Sequence, residues 1–213
     1  MSQIFISHSK EDKDLINFFS KVFSSTKVKA IWEEFKKIIT LNSVTSKKIK
    51  DDIKQSNALF IILSQNVQAL PHTRDWVDWE SGVGSASNKD IWVFEPYRQL
   101  GSISVVTPHL NHYVLFETNN SWFKYIWQII DSYNDSNILL ATTVGELQRI
   151  TTLEGLIGDP VRDKSINRPT GIEIKCSYCS LVYNIHFPIP DRSNQFNFRC
   201  PVCNKYLSLL LRL

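Results

Sequence analysis

Short apolar runs alternate with amphipathic stretches over the first 135 residues. Gln3-Ile-Phe-Ile6 predicts a strand, stopped by Ser7-His-Ser-Lys-Glu-Asp12. Leu15, Ile16, Phe18, Phe19, Val22 and Phe23 then recur at helical spacing, with Asp12 or Ser9 available as the cap. Val28–Trp32 predicts a second strand running into the charged loop Glu33–Lys37, and Ser43–Ser56 a short helix with a sparse apolar edge of Val44, Ile49 and Ile53. Ala58–Leu63 is apolar at every position, as a central parallel strand buried on both faces requires. Asp75 is then expected to cap a helix on which Trp76, Trp79 and Glu80 are neighbours. Asp90–Glu95, ended by Pro96, and His112–Glu117 are the fourth and fifth strands. Ser121 is the expected cap of a helix carrying Trp122, Phe123, Tyr125, Ile126, Ile129 and Ile130. This alternation predicts an α/β, doubly wound parallel sheet of five strands.

Beyond residue 135 the pattern changes. Residues 136–158 read as a mainly helical connector packed on the first domain, and 158–171 as a polar linker rich in turn residues. All four cysteines lie in the remaining segment, 172–213, as Cys176-Ser-Tyr-Cys179 and Cys200-Pro-Val-Cys203 with 20 residues between the pairs. That is a zinc spacing. Four thiolates satisfy zinc's tetrahedral preference and leave no open position, so the site is read as structural and not catalytic. A redox Cys-x-x-Cys pair is the alternative. Leu181–Phe187, Phe196–Phe198 and Tyr206–Leu211 read as strands, and the segment resembles a zinc ribbon. A domain of about 40 residues cannot stabilise itself by its core alone, so the metal would supply folding energy. His186 is read as a strand residue, unnecessary as a ligand.

Composition narrows the function classes. A hydrophobic fraction of 43% with 21% charged residues is ordinary for a globular chain. A net charge of +3, without a dense basic block, argues against nucleic acid. The basic residues of the ribbon are scattered, whereas Leu207, Leu209, Leu210, Leu211 and Leu213 exceed what a hairpin buries, so a protein contact is favoured there. It could dock on the first domain, self-associate or sense a partner. No run approaches the roughly 18 apolar residues of a membrane span, and the first residues read as a strand, not a signal peptide. Clustered cysteines point to a reducing compartment, and the expectation is a soluble, cytoplasmic protein.

Glu80 is the residue with the clearest chemistry. It falls one helical turn beyond Trp76, near the carboxyl end of the Ala58–Leu63 strand, where open α/β sheets bind ligands. A carboxylate beside an aromatic wall can hold a sugar ring and stabilise positive charge forming on it. The plainer reading makes both tryptophans core and Glu80 a solvated acid. His72, His109, His112, Trp92, Lys36 and Lys37 are read as structural or solvated.

Four features together resemble a TIR domain over residues 1–135: the opening strand with Ser7-His-Ser and Asp12, Ile53–Ser64 ending in Leu-Ser, Trp76-x-x-x-Glu80, and the strand Ile91–Phe94 after it. The resemblance implies a flavodoxin-like fold and one of two roles, assembly or cleavage of NAD between nicotinamide and ribose. Under the second role Glu80 is the catalytic acid and Trp76 its aromatic partner, and Ser7 and His8 face the nucleotide. Phe35 to Ile38 then form the loop that closes the site; it lacks the Gly or Pro often found there. The products would be nicotinamide and ADP-ribose or a cyclic isomer, with neighbouring copies completing the site. A TIR enzyme carrying a sensor-like appendage resembles prokaryotic antiviral-defence proteins. The alternative is a non-catalytic TIR scaffold whose ribbon recruits a protein or nucleic acid.

Overall fold

All five strands expected in the first 135 residues form: β1 (Gln3–Ser7), β2 (Lys29–Trp32), β3 (Ala58–Ile62), β4 (Asp90–Pro96) and β5 (His112–Phe116). The structure, a computed structural model, describes residues 2–32, 43–97, 109–134, 156–158, 172–186 and 195–211. The five strands are parallel, in the order β2-β1-β3-β4-β5. Helices α1 (Lys13–Ser24) and α5 (Asn120–Asp131) cover one face; α2 (Ser43–Gln55), α3 (Gln65–Ala69) and α4 (Pro71–Ala86) cover the other. The period-two alternation of the strands divides the core accordingly. Phe60, Trp92, Phe94 and Phe116 pack toward α1 and α5, and Leu59, Ile61, Val93 and Leu115 toward α2 and α4.

The sheet does not stop at β5. The first cysteine-bearing hairpin supplies β7 (Ile172–Lys175) and β8 (Val182–His186), with β8 parallel to β5 and β7 antiparallel to β8. The sheet is therefore seven-stranded and mostly parallel, where the sequence predicted five strands and a separate ribbon. The physical reason is an edge. A bare β5 would present a row of unpaired backbone groups beside buried Tyr113 and Leu115, and β8 pairs with it. A second sheet has the order β6-β10-β9, from Leu156–Gly158, Tyr206–Leu211 and Gln195–Arg199. Residues 156–158, expected to end a helical connector, are thus a strand parallel to β10. The rest of the connector and the linker to 171 lie outside the described residues. Phe198, Cys200 and Leu207 join the core on the α2/α4 face, so the cysteine-rich segment docks on the sheet.

Helix starts differ from the sequence reading in instructive ways. Helix α4 begins at Pro71, a residue whose missing N–H costs nothing in a first turn, so Asp75 lies inside the helix and is not its cap. Asn119, not Ser121, caps α5, accepting from the Trp122 amide at 3.0 Å. Two glycines of α4 have opposite roles. A Cβ on Gly84 would stand 2.8 Å from Leu59 Cδ2, whereas at Gly82 nothing lies within 4 Å. Gly82→Ala is therefore expected to stabilise the chain by about 0.5–1 kcal/mol through helix propensity. Gly84→Val should destabilise it by about 1–3 kcal/mol through overpacking against β3. Paired denaturant titrations check both signs.

Among the described residues no helix is long and apolar enough to cross a membrane.

Candidate functional site

The parallel sheet places the end of β1 and the start of the loop after β3 side by side, and α4 returns across them. Chain direction reverses here: β1 leads outward to β2, and β3 leads the other way to β4. Such a switch point opens a crevice at the carboxyl ends of the strands. Ser7, the last residue of β1, donates its hydroxyl to Glu80 Oε2. Trp76, one turn before Glu80 on α4, donates its indole N–H to Oε1 at 3.0 Å. Glu80 is 3% exposed, so the solvated acid of the plainer reading is excluded. The Trp76 and Trp79 rings lie 4.8 Å apart at 32°, forming an aromatic wall beside the carboxylate. His8 meets the edge of Trp32 at 5.3 Å.

Ser7, Trp76 and Glu80 are thus brought together, and His8 joins Trp76 and Glu80 in lining a small cleft of about 50 Å³. Lys10 and His72 line the same cleft; His72, read as a solvated loop residue, is exposed in the first turn of α4. Phe35, assigned to the closing loop, lies outside the described residues, as does the rest of that loop. A larger hollow of about 800 Å³ adjoins the cleft through Glu11. Its lining sets Glu11, Asp12, Asp14 and Glu117 against Lys13, a net acidic set that disfavours phosphate.

Two carboxyls near the same strand ends are buried, where the sequence reading has Asp12 as a possible helix cap and Glu95 as the end of a strand. Asp12 takes the cap position of α1 but makes no capping bond. It accepts instead from the Ser64 hydroxyl and from Asn66 Nδ2 at 2.7 Å, which ties the loop after β1 to the end of β3. No local signal marks this, because the partners are 52 and 54 residues away. Glu95, near the end of β4, is fully buried and accepts from the Tyr113 hydroxyl. Burial raises its carboxyl from the usual 4.5 to about 7, against the lowering effect of the Tyr113 hydrogen bond. Between those two values the folded chain keeps a proton that the unfolded chain releases, so this contribution to stability falls as pH rises from 4.5 to about 7. Glu95→Gln keeps an acceptor for Tyr113 without the ionisation. The Tm of the variant relative to wild type is expected to be higher at pH 8 than at pH 4.5, by thermal melts at both.

The four cysteines converge in the second candidate site. Cys176 and Cys203 sulfurs lie 3.6 Å apart, Cys179 and Cys200 3.9 Å, and all four within 4.8 Å of one another. A tetrahedron with metal–sulfur bonds of about 2.3 Å has edges of about 3.8 Å, so the donor set fits a tetrahedral thiophilic ion. The two knuckles repeat one geometry. Ser180 and Asn204 each follow a second cysteine in the left-handed region, at φ 62° and 58°. Their amides donate at 2.9 Å to the Cys176 and Cys200 carbonyls. Backbone amides also face sulfur: those of Tyr178 and Cys179 toward Cys176, and those of Val202 and Cys203 toward Cys200. Burial opposes ionisation at Cys176, yet these amides hold its thiol below the usual range; at Cys200 burial wins and pushes the thiol up. The cluster could hold a metal ion, and its four filled positions leave none for a reacting water.

No protein-family model matches the chain, and no curated protein matches it either.

Proposed function

We propose that the chain is an NAD nucleosidase of the TIR type, with Glu80 as the catalytic carboxylate. One observation carries this reading: a buried carboxylate at the β1 end of the switch point, oriented by Ser7 and Trp76 and walled by a tryptophan pair. The strand order 2-1-3-4-5 is that of flavodoxin-like sheets, which agrees with the TIR resemblance. Neutral donors keep the carboxylate aimed without cancelling its charge. In the reaction the bond from the ribose anomeric carbon to nicotinamide breaks, and its electron pair neutralises the pyridinium nitrogen. Nicotinamide therefore needs no proton to leave. Positive charge builds on the ribose, and a fixed, buried carboxylate stabilises it. Water then adds to give ADP-ribose and a proton, or an internal nucleophile closes a cyclic isomer. Lys10, which lines the cleft and pairs with Glu11 at 3.8 Å, would meet the diphosphate.

The cysteine cluster would hold zinc as a structural ion. Tyr178, Val182 and Tyr206 are large apolar side chains left exposed on this segment, and they would form the surface for a protein partner or trigger. Self-association through the TIR region would complete the enzyme. The test is nicotinamide release from NAD at high protein concentration, wild type against Glu80→Gln.

A second reading has its own observation. Both Glu80 oxygens are already bonded and the cleft is small, so Glu80 could serve only to staple α4 to β1 in a non-catalytic scaffold. That reading expects no turnover in any assembly state, with self-association that survives the Glu80 change.

A further inference from the structure

On the α1/α5 face, four polar side chains from four different elements form one unbroken hydrogen-bonded chain. His112 Nε2 lies 3.2 Å from Asp90 Oδ1, His112 Nδ1 lies 3.3 Å from His186 Nε2, and His186 Nδ1 lies 2.6 Å from the Tyr125 hydroxyl. The second oxygen of Asp90 accepts from the Tyr133 hydroxyl and, at 3.2 Å, from the Trp92 indole. Trp92 also stacks on His112, with centroids 3.7 Å apart and planes at 12°. Asp90, His112, Tyr125, Tyr133 and Trp92 belong to the sheet's first five strands and the α5 region. His186 alone comes from the cysteine-rich segment, and it is 2% exposed.

With neutral histidines every donor meets an acceptor. An ionised Asp90 only accepts, so His112 carries its proton on Nε2 and offers Nδ1 to His186. His186 then donates from Nε2 and accepts from Tyr125 at Nδ1. A proton added to His186 displaces the Tyr125 hydroxyl hydrogen and places a cation in a buried site. We propose that this chain is an acid-sensitive fastening, which holds the β7–β8 hairpin on β5 only while His186 is neutral.

The electrostatics run the same way. Burial first, and then neighbouring His112, depress His186 well below the ordinary histidine range, with Asp90 opposing. An unfolded or undocked histidine takes a proton below about pH 6.5, and the docked one does not. The fastening is therefore fully present above about pH 6.5 and is lost as pH falls below it. The titratable groups facing His186 are Asp90 from β4, His112 from β5, Tyr125 from α5, and Tyr133 beyond it through Asp90. From β7, Glu173 pairs opposite Asn184, one same-face position away.

Hydrogen exchange on the zinc-loaded full chain at pH 7.5 and 5.5, corrected for intrinsic rates and with zinc content measured at each pH, tests this. Exchange at residues 182–186 is expected to rise at least tenfold at the lower pH while β1 and β3 stay protected. His186→Gln, whose amide still donates to His112, is expected to lose that pH dependence. Should the variant fail to fold, imidazole ¹⁵N spectra of the wild type must show His186 as the neutral Nε2–H tautomer at pH 7.5, with its protonation tracking the exchange midpoint. Unchanged exchange in the wild type, an equal rise in His186→Gln, zinc loss ahead of the rise, or protonation that does not track exchange would each overturn the proposal.

Discussion

Glu80→Gln is expected to lower nicotinamide release from NAD by at least about 100-fold, the usual scale for removing one preorganised electrostatic group from a reacting centre. The same change should leave the fold in place. The oxygen of the substituted amide can accept from the Trp76 indole, and its NH₂ can donate to Ser7, whose hydroxyl turns to accept. Glu80→Ala is less informative, because it takes the acceptor from the buried Ser7 hydroxyl, at about 1–3 kcal/mol, and from the half-buried Trp76 indole. Activity and a thermal melt measured on the glutamine variant together separate chemistry from stability. Turnover retained in Glu80→Gln would remove Glu80 from the mechanism. A silent wild type with assembly intact in both proteins would favour the scaffold.

Metal removal is the second large effect. One zinc per chain is expected by elemental analysis, and either a strong chelator or Cys200→Ser should lower Tm by more than about 10 °C, given about 2–4 °C per kcal/mol for a chain of this size. Cys176 and Cys200 are fully buried within the core that seats β7–β10 on the sheet. Without a cation the four sulfurs, two pairs of them within 3.9 Å, cannot all ionise, and the knuckles lose the bonds that close them. Because β8 covers the edge of β5, the loss should spread into the α/β sheet. Hydrogen exchange in β5 that rises with chelation would record that spread. A metal-free chain with unchanged Tm would show that the cysteines are not a structural centre.

Much of this was legible because it is periodic or local. The apolar runs at Ile4–Ile6, Ala58–Ile62 and Ile91–Phe94 read as buried strands by their length and β-branched or aromatic content, and the helical stripe of α1 follows from spacing. The Cys-x-x-Cys pairs announce a four-thiol cluster by distance along the chain, because each knuckle is closed by its own backbone. Trp76 and Glu80 are four apart on one helix, so their contact follows from helical geometry. The start of α4 is not legible from Asp75, which is a good cap only if a helix begins there, and Pro71 begins it earlier.

The remainder depends on partners far apart in sequence. Ser7 and Glu80 are 73 positions apart, and His112 and His186 are 74 apart. Neither pairing leaves a local pattern. Asp12 looks like a cap and spends its carboxylate on Ser64 and Asn66, since the end of β3 offers better donors than its own helix. The cysteine segment reads as a separate ribbon because its knuckles are self-contained, yet the open edge of β5 recruits its first hairpin as two more strands. Local pattern therefore settled the first five strands, the apolar stripes of α1 and α5 and the thiol cluster of this chain. Strand pairing decided which carboxylates are buried, which histidines meet, and that the two halves share one sheet, because unsatisfied edges and buried polar groups find partners only when the whole chain packs.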